Sequence, residues 1–423
     1  MITFQKTQLS NGLTLITAPM KDTQAVTAMI LVGVGSRYEQ KDQNGISHFL
    51  EHLFFKGSKK RPSTLKLSKE LDALGARYNA FTGEEMTGFF IQLASDKFNR
   101  GWEILTDMFL NPLIAEREVE RERGVILEEM NMYYDTPQAY VGELAKQVVY
   151  GDTPLGRDII GTRQTIASIS RSQIIHYREN NYTPSNTLVV IAGAKSADWE
   201  EAVGKVLGSG SQSPAARYKK ADLTLKGPVF HTHNKKTDQT HLVINFRTFP
   251  VTDRRWYVLE VLANLLGGQM SSRLFIKIRE RRGLAYYVRA EPQNFHDTGI
   301  LSISAGLKTS NLDEAVKIIA REIKNLQTKP VGKEELTRAK DNLVGHLALS
   351  LEGSMQIADF LSQQWFYEKK IKQADEVIAE YKKVNAQDIM KLANDVLVQA
   401  NIGAAAIGPL GDKEKEKIVK ILN

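Results

Sequence analysis

The chain of 423 residues contains no cysteine. That absence excludes a disulfide scaffold, Cys-ligated zinc, iron–sulfur clusters and a thiol nucleophile together. No apolar run approaches the ~18 residues that a membrane-crossing helix needs, so no membrane is expected as a partner. A strong charge of one sign is also missing, since 56 Lys+Arg face 49 Asp+Glu for a formal net charge of +7. The excess is uneven: residues 1–210 hold 23 basic and 25 acidic side chains, and residues 211–423 hold 33 and 24. The basic residues of the second half are mostly lysines scattered through an amphipathic helical pattern, which is how a solvated face looks. No nucleic acid is therefore expected as a partner. The opening stretch MITFQKTQLSNGLTLIT alternates like a strand and lacks the basic-then-apolar build of a leader, so a cytoplasmic protein is expected. What is present is ordinary for a soluble globular protein, 42% apolar and 25% charged, with length for two or three domains.

One stretch of low complexity, Gly208-Ser-Gly-Ser-Gln-Ser-Pro214, falls at the middle of the chain and reads as a flexible connector. Its position prompts a search for a repeat. Leu93-Ala-Ser-Asp-Lys-Phe98, followed by Trp102, Ile104 and Leu105, reads as a turn opening an amphipathic helix, and Leu307-Lys-Thr-Ser-Asn-Leu312 repeats it 214 residues later. Ile114-Ala-Glu-Arg-Glu-Val119 matches Val331-Gly-Lys-Glu-Glu-Leu336 at an offset of 217. Ser172-Gln-Ile-Ile running to Gly193 matches Gln387-Asp-Ile-Met running to Gly408 at 215. Three segments agreeing on nearly one spacing point to an internal duplication. Each half mixes strand alternation, as in Tyr78–Thr82 and Gly88–Leu93, with long helical stretches near 98–110 and 115–134. The expected fold is therefore α+β, with two homologous lobes, each a mixed sheet packed with helices. The lobes are expected at 1–208 and 223–423, joined by a linker over 209–222.

The chemistry is concentrated in His48-Phe-Leu-Glu51-His52. Positions i, i+3 and i+4 share one helix face, so both imidazoles and the carboxylate converge. Two such histidines are a natural pair of zinc ligands, and a carboxylate beside them can take a proton from the attacking water. Phe49, Leu50, Leu53 and Phe54 form the opposite, apolar face. The order His-x-x-Glu-His is that of the inverted zinc peptidases. Such a histidine pair can also bind manganese or cobalt.

With these residues the sequence resembles the M16 metallopeptidases, the family of pitrilysin, insulin-degrading enzyme and the mitochondrial processing peptidase. The resemblance covers essentially the whole chain, including Phe54-Phe-Lys-Gly57, Pro154-Leu-Gly-Arg157 and Ile160-Gly-Thr162. It implies a third zinc ligand about 76 residues beyond the second His, which is Glu129 on spacing, with Glu128 the adjacent alternative. It implies that Glu122, two turns earlier on the same helix, supports the ligands from behind. Asn79 and Ala80, in Asn79-Ala-Phe-Thr82, resemble the family's edge strand that takes substrate as an added β-strand. Leu265-Leu-Gly-Gly-Gln-Met-Ser-Ser-Arg-Leu-Phe275 and Ile278-Arg-Glu-Arg-Arg-Gly-Leu-Ala-Tyr286 also resemble family segments, and they imply that Arg279 and Tyr286 hold the peptide and stabilise the oxyanion. Nothing like His-x-x-Glu-His stands in the second half, and the repeat sets His346 opposite Glu129.

The resemblance implies a zinc-dependent endopeptidase with one Zn2+ per chain, acting on unfolded peptides or presequence-like segments. Glu51 is the expected base, and Glu51, Arg279 and Tyr286 are the expected catalytic residues. Long family members carry four lobes and this chain has two, which implies a two-chain clamshell. A homodimer and a heterodimer with a degenerate sister chain are both open. The alternative within the family is a catalytically silent partner subunit.

Overall fold

The computed structural model describes residues 2–210, 212, 214, 216–221 and 227–422. The strands among them are β1 (Gln5–Gln8), β2 (Thr14–Pro19), β3 (Ala25–Val32), β4 (Arg77–Thr82), β5 (Thr87–Ala94), β6 (Thr187–Gly193), β7 (Val229–Asn234), β8 (Thr240–Thr248), β9 (Ala285–Asn294), β10 (Gly299–Leu307) and β11 (Ile402–Gly408). They form two sheets, one ordered β1-β2-β6-β3-β5-β4 and the other β7-β11-β8-β10-β9. The mixed α+β character expected from the sequence is borne out.

The duplication is visible in the ladders. In the first sheet β2 runs parallel to β6, and β6, β3, β5 and β4 then alternate in direction. In the second sheet β7 runs parallel to β11, followed by β8, β10 and β9 in the same alternation. The strands inside each sheet, TLVVIAG in β6 and IGAAAIG in β11, are buried along their whole length. A continuous apolar run is what a strand covered on both faces requires. The last strand of each order, β4 and β9, is an edge.

The chain divides into two compact units, and each is completed by a helix from the other half of the sequence. The first comprises the described residues of 1–130, 157–219 and 348–373, and the second those of 131–156, 220–347 and 374–423. These bounds differ from the contiguous lobes expected at 1–208 and 223–423. In the first unit, helix Ser354–Glu368 lays Ile357, Ala358, Leu361 and Phe366 against Ile16, Met29, Leu31 and Val190 of the sheet. In the second, helix Pro137–Tyr150 packs Val141, Leu144 and Ala145 on Val243, Ala405 and Ile407. It lies so close to β11 that a Cβ on Gly403 would stand 2.7 Å from Val149. Each helix covers the face of a sheet that its own half leaves bare, which is the hydrophobic reason for the exchange.

Of the expected linker 209–222, residues 211, 213, 215 and 222 lie outside the described residues. Residues 216–219 are bound within the first unit. Ala216 N donates to Asn186 Oδ1 at 2.9 Å, and the buried Arg37 guanidinium lies 4.1 Å from the Tyr218 ring while donating to Lys219 O.

The other face of the first sheet carries helices Ile46–Phe54 and Phe98–Leu110. There Phe54 meets Phe89 at a ring separation of 4.5 Å and stacks over Phe109. Among the described residues no helix is long and apolar enough to cross a membrane.

Candidate metal centre

Helix Ile46–Phe54 is fixed at its start before it reaches its first histidine. Gly45 precedes it with φ +97°, and a Cβ there would stand 2.7 Å from Ile160 O, so only glycine fits. The first-turn amides find a buried acceptor in Glu39. Its Oε2 accepts from Gly45 N at 2.7 Å and Asn44 Nδ2 at 3.0 Å, and its Oε1 accepts from Ser47 N at 2.8 Å. A carboxylate here complements the positive end of the helix dipole, although burial lifts it to about 7 against those hydrogen bonds. Ser47 Oγ and Tyr177 Oη share a further hydrogen bond of 2.7 Å. Ile46, Phe49, Leu50, Leu53 and Phe54 are all fully buried, so the helix cannot rotate without exposing its apolar stripe. His48, Glu51 and His52 occupy the remaining, half-buried face.

Helix Glu116–Tyr134 supplies the opposing carboxylates. Val119, Glu122, Ile126 and Met130 form its buried stripe, and Glu129 sits half-buried at its border. Glu129 Oε2 lies 3.5 Å from His52 Nε2 and 3.7 Å from His48 Nε2. The two imidazoles meet edge to face with centroids 4.6 Å apart. One ligand atom from each of His48, His52 and Glu129 falls within 4.8 Å of the others, the only such trio among the described residues. A tetrahedral zinc with bonds of about 2.0–2.1 Å separates its ligand atoms by about 3.3–3.5 Å. The donor set and its spacing therefore fit zinc. Of the two adjacent candidates, Glu129 joins the histidines and Glu128 is exposed.

The residues behind the trio are ordered as metal ligands require. Glu122, 1% exposed at its side chain, places Oε2 3.2 Å from His52 Nδ1, and its Oε1 pairs with Lys56 Nζ at 2.8 Å. With Nδ1 held by Glu122, His52 turns its Nε2 edge toward Glu129 and His48. Burial pushes His48 down to about 4, helped by the charge of His52 and opposed by Glu129, so it is a neutral imidazole at pH 7. Burial also acts to lower His52, but its hydrogen bonds to Glu122 and Glu129 prevail and lift it to about 9. The hydrogen bond to His52 holds Glu129 below the usual carboxylate range. Burial works against ionising Glu122, and His52 and Lys56 overcome it. Three carboxylates (Glu51, Glu122 and Glu129) thus crowd two imidazoles and one lysine, a field that favours a cation between the rings.

Glu51 takes no part in the trio. Burial raises its pKa, and its Oε2 accepts a hydrogen bond of 2.6 Å from Thr82 Oγ1, which works in the opposite direction. Thr82 ends the edge strand β4, paired with Thr87. Gly83 N donates to Met86 O at 2.8 Å across the turn. Antiparallel alternation from that bonded pair turns the backbone groups of Tyr78, Ala80 and Thr82 to the open edge and those of Asn79 inward to Phe90. Of the two expected substrate contacts, Ala80 therefore presents its backbone to the edge and Asn79 its exposed side chain.

Arg279 and Tyr286 belong to the second unit, where they are neighbours. The Arg279 guanidinium lies 4.9 Å from the Phe275 ring and 5.8 Å from the Tyr286 ring, and Tyr286 is 74% exposed. Arg279 also lines a cavity of about 900 Å³ with Glu260, Asn264 and His346. Glu260, Ala263 and Asn264 keep the i, i+3, i+4 spacing of His48, Glu51 and His52 on a helix that likewise packs beside its edge strand, but the imidazoles and the base are gone. Sequence reasoning missed Glu39, Lys56 and Thr82. Lys56 could have been found, because it follows His52 by one helical turn.

Matches to known proteins cover nearly the whole chain. Residues 15–163 match the family model described as insulinase (peptidase family M16), and residues 168–343 match that of the peptidase M16 inactive domain. A Bacillus subtilis protein named as the uncharacterized zinc protease YmxG is 33% identical over 406 residues, covering 95% of this chain and 97% of its own. The chain belongs to peptidase family M16. An uncharacterized zinc protease of Streptomyces coelicolor is 32% identical over 98% of this chain and 92% of its own, and one of Rickettsia bellii is 32% identical over 96% and 98%. The M16 fold extends to solved structures of low identity. A protease from Helicobacter pylori superposes with a TM-score of 0.88 at 20% identity, over 96% of this chain and all of the other. An M16 inactive-domain protein from Pseudomonas fluorescens gives 0.87 at 17%, over 97% and 99%. The family and fold implied by the sequence motifs are borne out.

Proposed function

We propose that this M16 chain is a zinc-dependent endopeptidase that hydrolyses unfolded peptides. The observation that carries the proposal is the convergence of His48, His52 and Glu129 within 4.8 Å, beside a base held against an open edge strand. The relatives named zinc proteases, alike over nearly their whole length, support it. His48, His52 and Glu129 would hold one zinc ion, with Glu122 orienting His52. Zinc, when bound there, acidifies water and polarises a carbonyl as a Lewis acid.

The chain's own residues do the rest. An extended peptide adds to β4 through the backbone groups of Ala80 and its alternate neighbours, which selects for unfolded segments over folded ones. Glu51 takes the proton of the attacking water and delivers it to the leaving amine nitrogen. Its raised pKa suits both duties, since a carboxylate nearer neutrality is a stronger base and then a competent acid. Arg279 and Tyr286 are proposed to hold the peptide and donate to the oxyanion, with the cation–π contact keeping the guanidinium beside the phenol. A second chain is proposed to complete the active assembly, either another copy or a degenerate sister. The test is hydrolysis of a quenched unstructured peptide, with and without a chelator, beside Glu51→Gln. Loss of activity with both treatments, and recovery on adding zinc, is the expected result. Activity that survives in Glu51→Gln removes the base assignment.

A further inference from the structure

Thr82 stands where two parts of the proposed mechanism meet. Its hydroxyl donates to Glu51 Oε2 at 2.6 Å, the short distance of a charge-assisted hydrogen bond. Its backbone N–H and C=O face the open edge of β4, by the same alternation that presents Ala80. Thr82 is itself half-buried, and the register with Thr87 anchors it on the side of β5. Thr87 Oγ1 in turn donates to Val34 O at 2.9 Å, so the strand end behind Thr82 is tied to the end of β3. The hydroxyl therefore projects from a fixed backbone.

We infer that Thr82 is a positioning residue that sets the direction of the Glu51 carboxylate relative to a peptide added to β4. The inference rests on the reading of Glu51 as the base. With Oε2 occupied by the Thr82 hydroxyl, Oε1 is the oxygen left to accept the proton of water. Because the same residue offers its backbone to the peptide, the register of the added strand and the aim of the base share one anchor. A misplaced base costs rate steeply, since productive geometry is narrow. Removing the hydroxyl should therefore lower kcat and leave the backbone edge that governs KM in place. Zinc binding should also be untouched, because neither His48, His52, Glu129 nor Glu122 depends on Thr82 for a hydrogen bond.

The experiment compares Thr82→Val, Thr82→Ser and Glu51→Gln in the full-length protein, reading zinc affinity by competition with a chromogenic chelator and kcat and KM with a quenched unstructured peptide. Thr82→Val is expected to bind zinc as the wild type does, with KM within about twofold and kcat lowered about 10- to 100-fold, the scale on which orienting partners act. Thr82→Ser, which keeps the hydroxyl, is expected to recover most of that loss. Thr82→Ala is the second hydroxyl-free variant, should valine disturb the strand. A kcat within twofold of wild type in the hydroxyl-free variants, with Glu51→Gln inactive, overturns the inference and leaves the function standing. Equal impairment in Thr82→Ser and Thr82→Val also overturns it, because the hydroxyl is then not the agent. Full activity in Glu51→Gln instead overturns the reading of the base on which the inference rests.

Discussion

Replacing Glu122 by alanine should weaken zinc binding without unfolding the protein. Glu122 touches no proposed substrate group and acts through His52, whose Nδ1 lies 3.2 Å from its Oε2. Without that acceptor the His52 ring loses the partner that sets its orientation and directs Nε2 toward Glu129. Changes to such partners typically cost about 10- to 100-fold in metal affinity, which is about 1.4–2.7 kcal/mol. The collateral cost to folding is limited, because Lys56 retains 24% exposure at its side chain and turns to water when its carboxylate is removed. Glu122→Gln keeps an acceptor for one of the two donors and should fall between alanine and wild type. The assay is titration with a chromogenic chelator at fixed pH, with circular dichroism as the folding control. An alanine variant that is folded and binds zinc within twofold of wild type would refute the argument that Glu122 orients the site.

Other consequences lie away from the metal. Burial lifts Glu260 to about 7, although Tyr381 Oη donates to it at 2.8 Å. The folded state therefore holds a proton that the unfolded state releases near pH 4.5, so Glu260 costs stability as pH rises from there through 7, by up to about 3 kcal/mol. Glu260→Gln should flatten that part of the profile in urea titrations at pH 5 and pH 8, and an unchanged slope would contradict it. Leu361, fully buried in the exchanged helix Ser354–Glu368, faces the first sheet; Leu361→Ala should destabilise that unit by about 2–5 kcal/mol, read by denaturation. Tyr286→Phe removes a hydroxyl from a residue that is 74% exposed. Its melting temperature should not move, while kcat falls about 100- to 1000-fold if the phenol donates to the oxyanion; unchanged kcat would remove Tyr286 from the reaction.

The local elements were legible because their signals are local. The i, i+3, i+4 spacing placed His48, Glu51 and His52 on one helix face, and the alternation around Gly83-Glu-Glu located β4 and β5 within a residue or so. The offsets near 215 announced two homologous lobes, and the structure adds that their sheets share a strand order from β2 and β7 onward. The family spacing pointed to Glu129 but left Glu128 one residue away, and because neighbours on a helix differ by 100° in direction, only the approach of a second helix decides which is used. The exchange of helices was not legible either. The apolar positions of Ser354–Glu368 say that a face is buried, and nothing in them names the sheet that covers it. Glu39 illustrates a further limit: within the polar run Glu39-Gln-Lys-Asp-Gln43 it looks solvated, yet it is buried and caps the histidine-bearing helix. Thr82 was quoted in the strand motif, but its partner lies 31 residues away on a helix, beyond any periodicity.

The most direct test of the central claim is a parallel measurement of zinc content and peptide hydrolysis in the wild type, Glu51→Gln and His52→Ala. The site described here predicts one zinc per chain and hydrolysis in the wild type, full zinc without hydrolysis in Glu51→Gln, and loss of both in His52→Ala. Hydrolysis that persists in metal-free protein, or in Glu51→Gln, would contradict it.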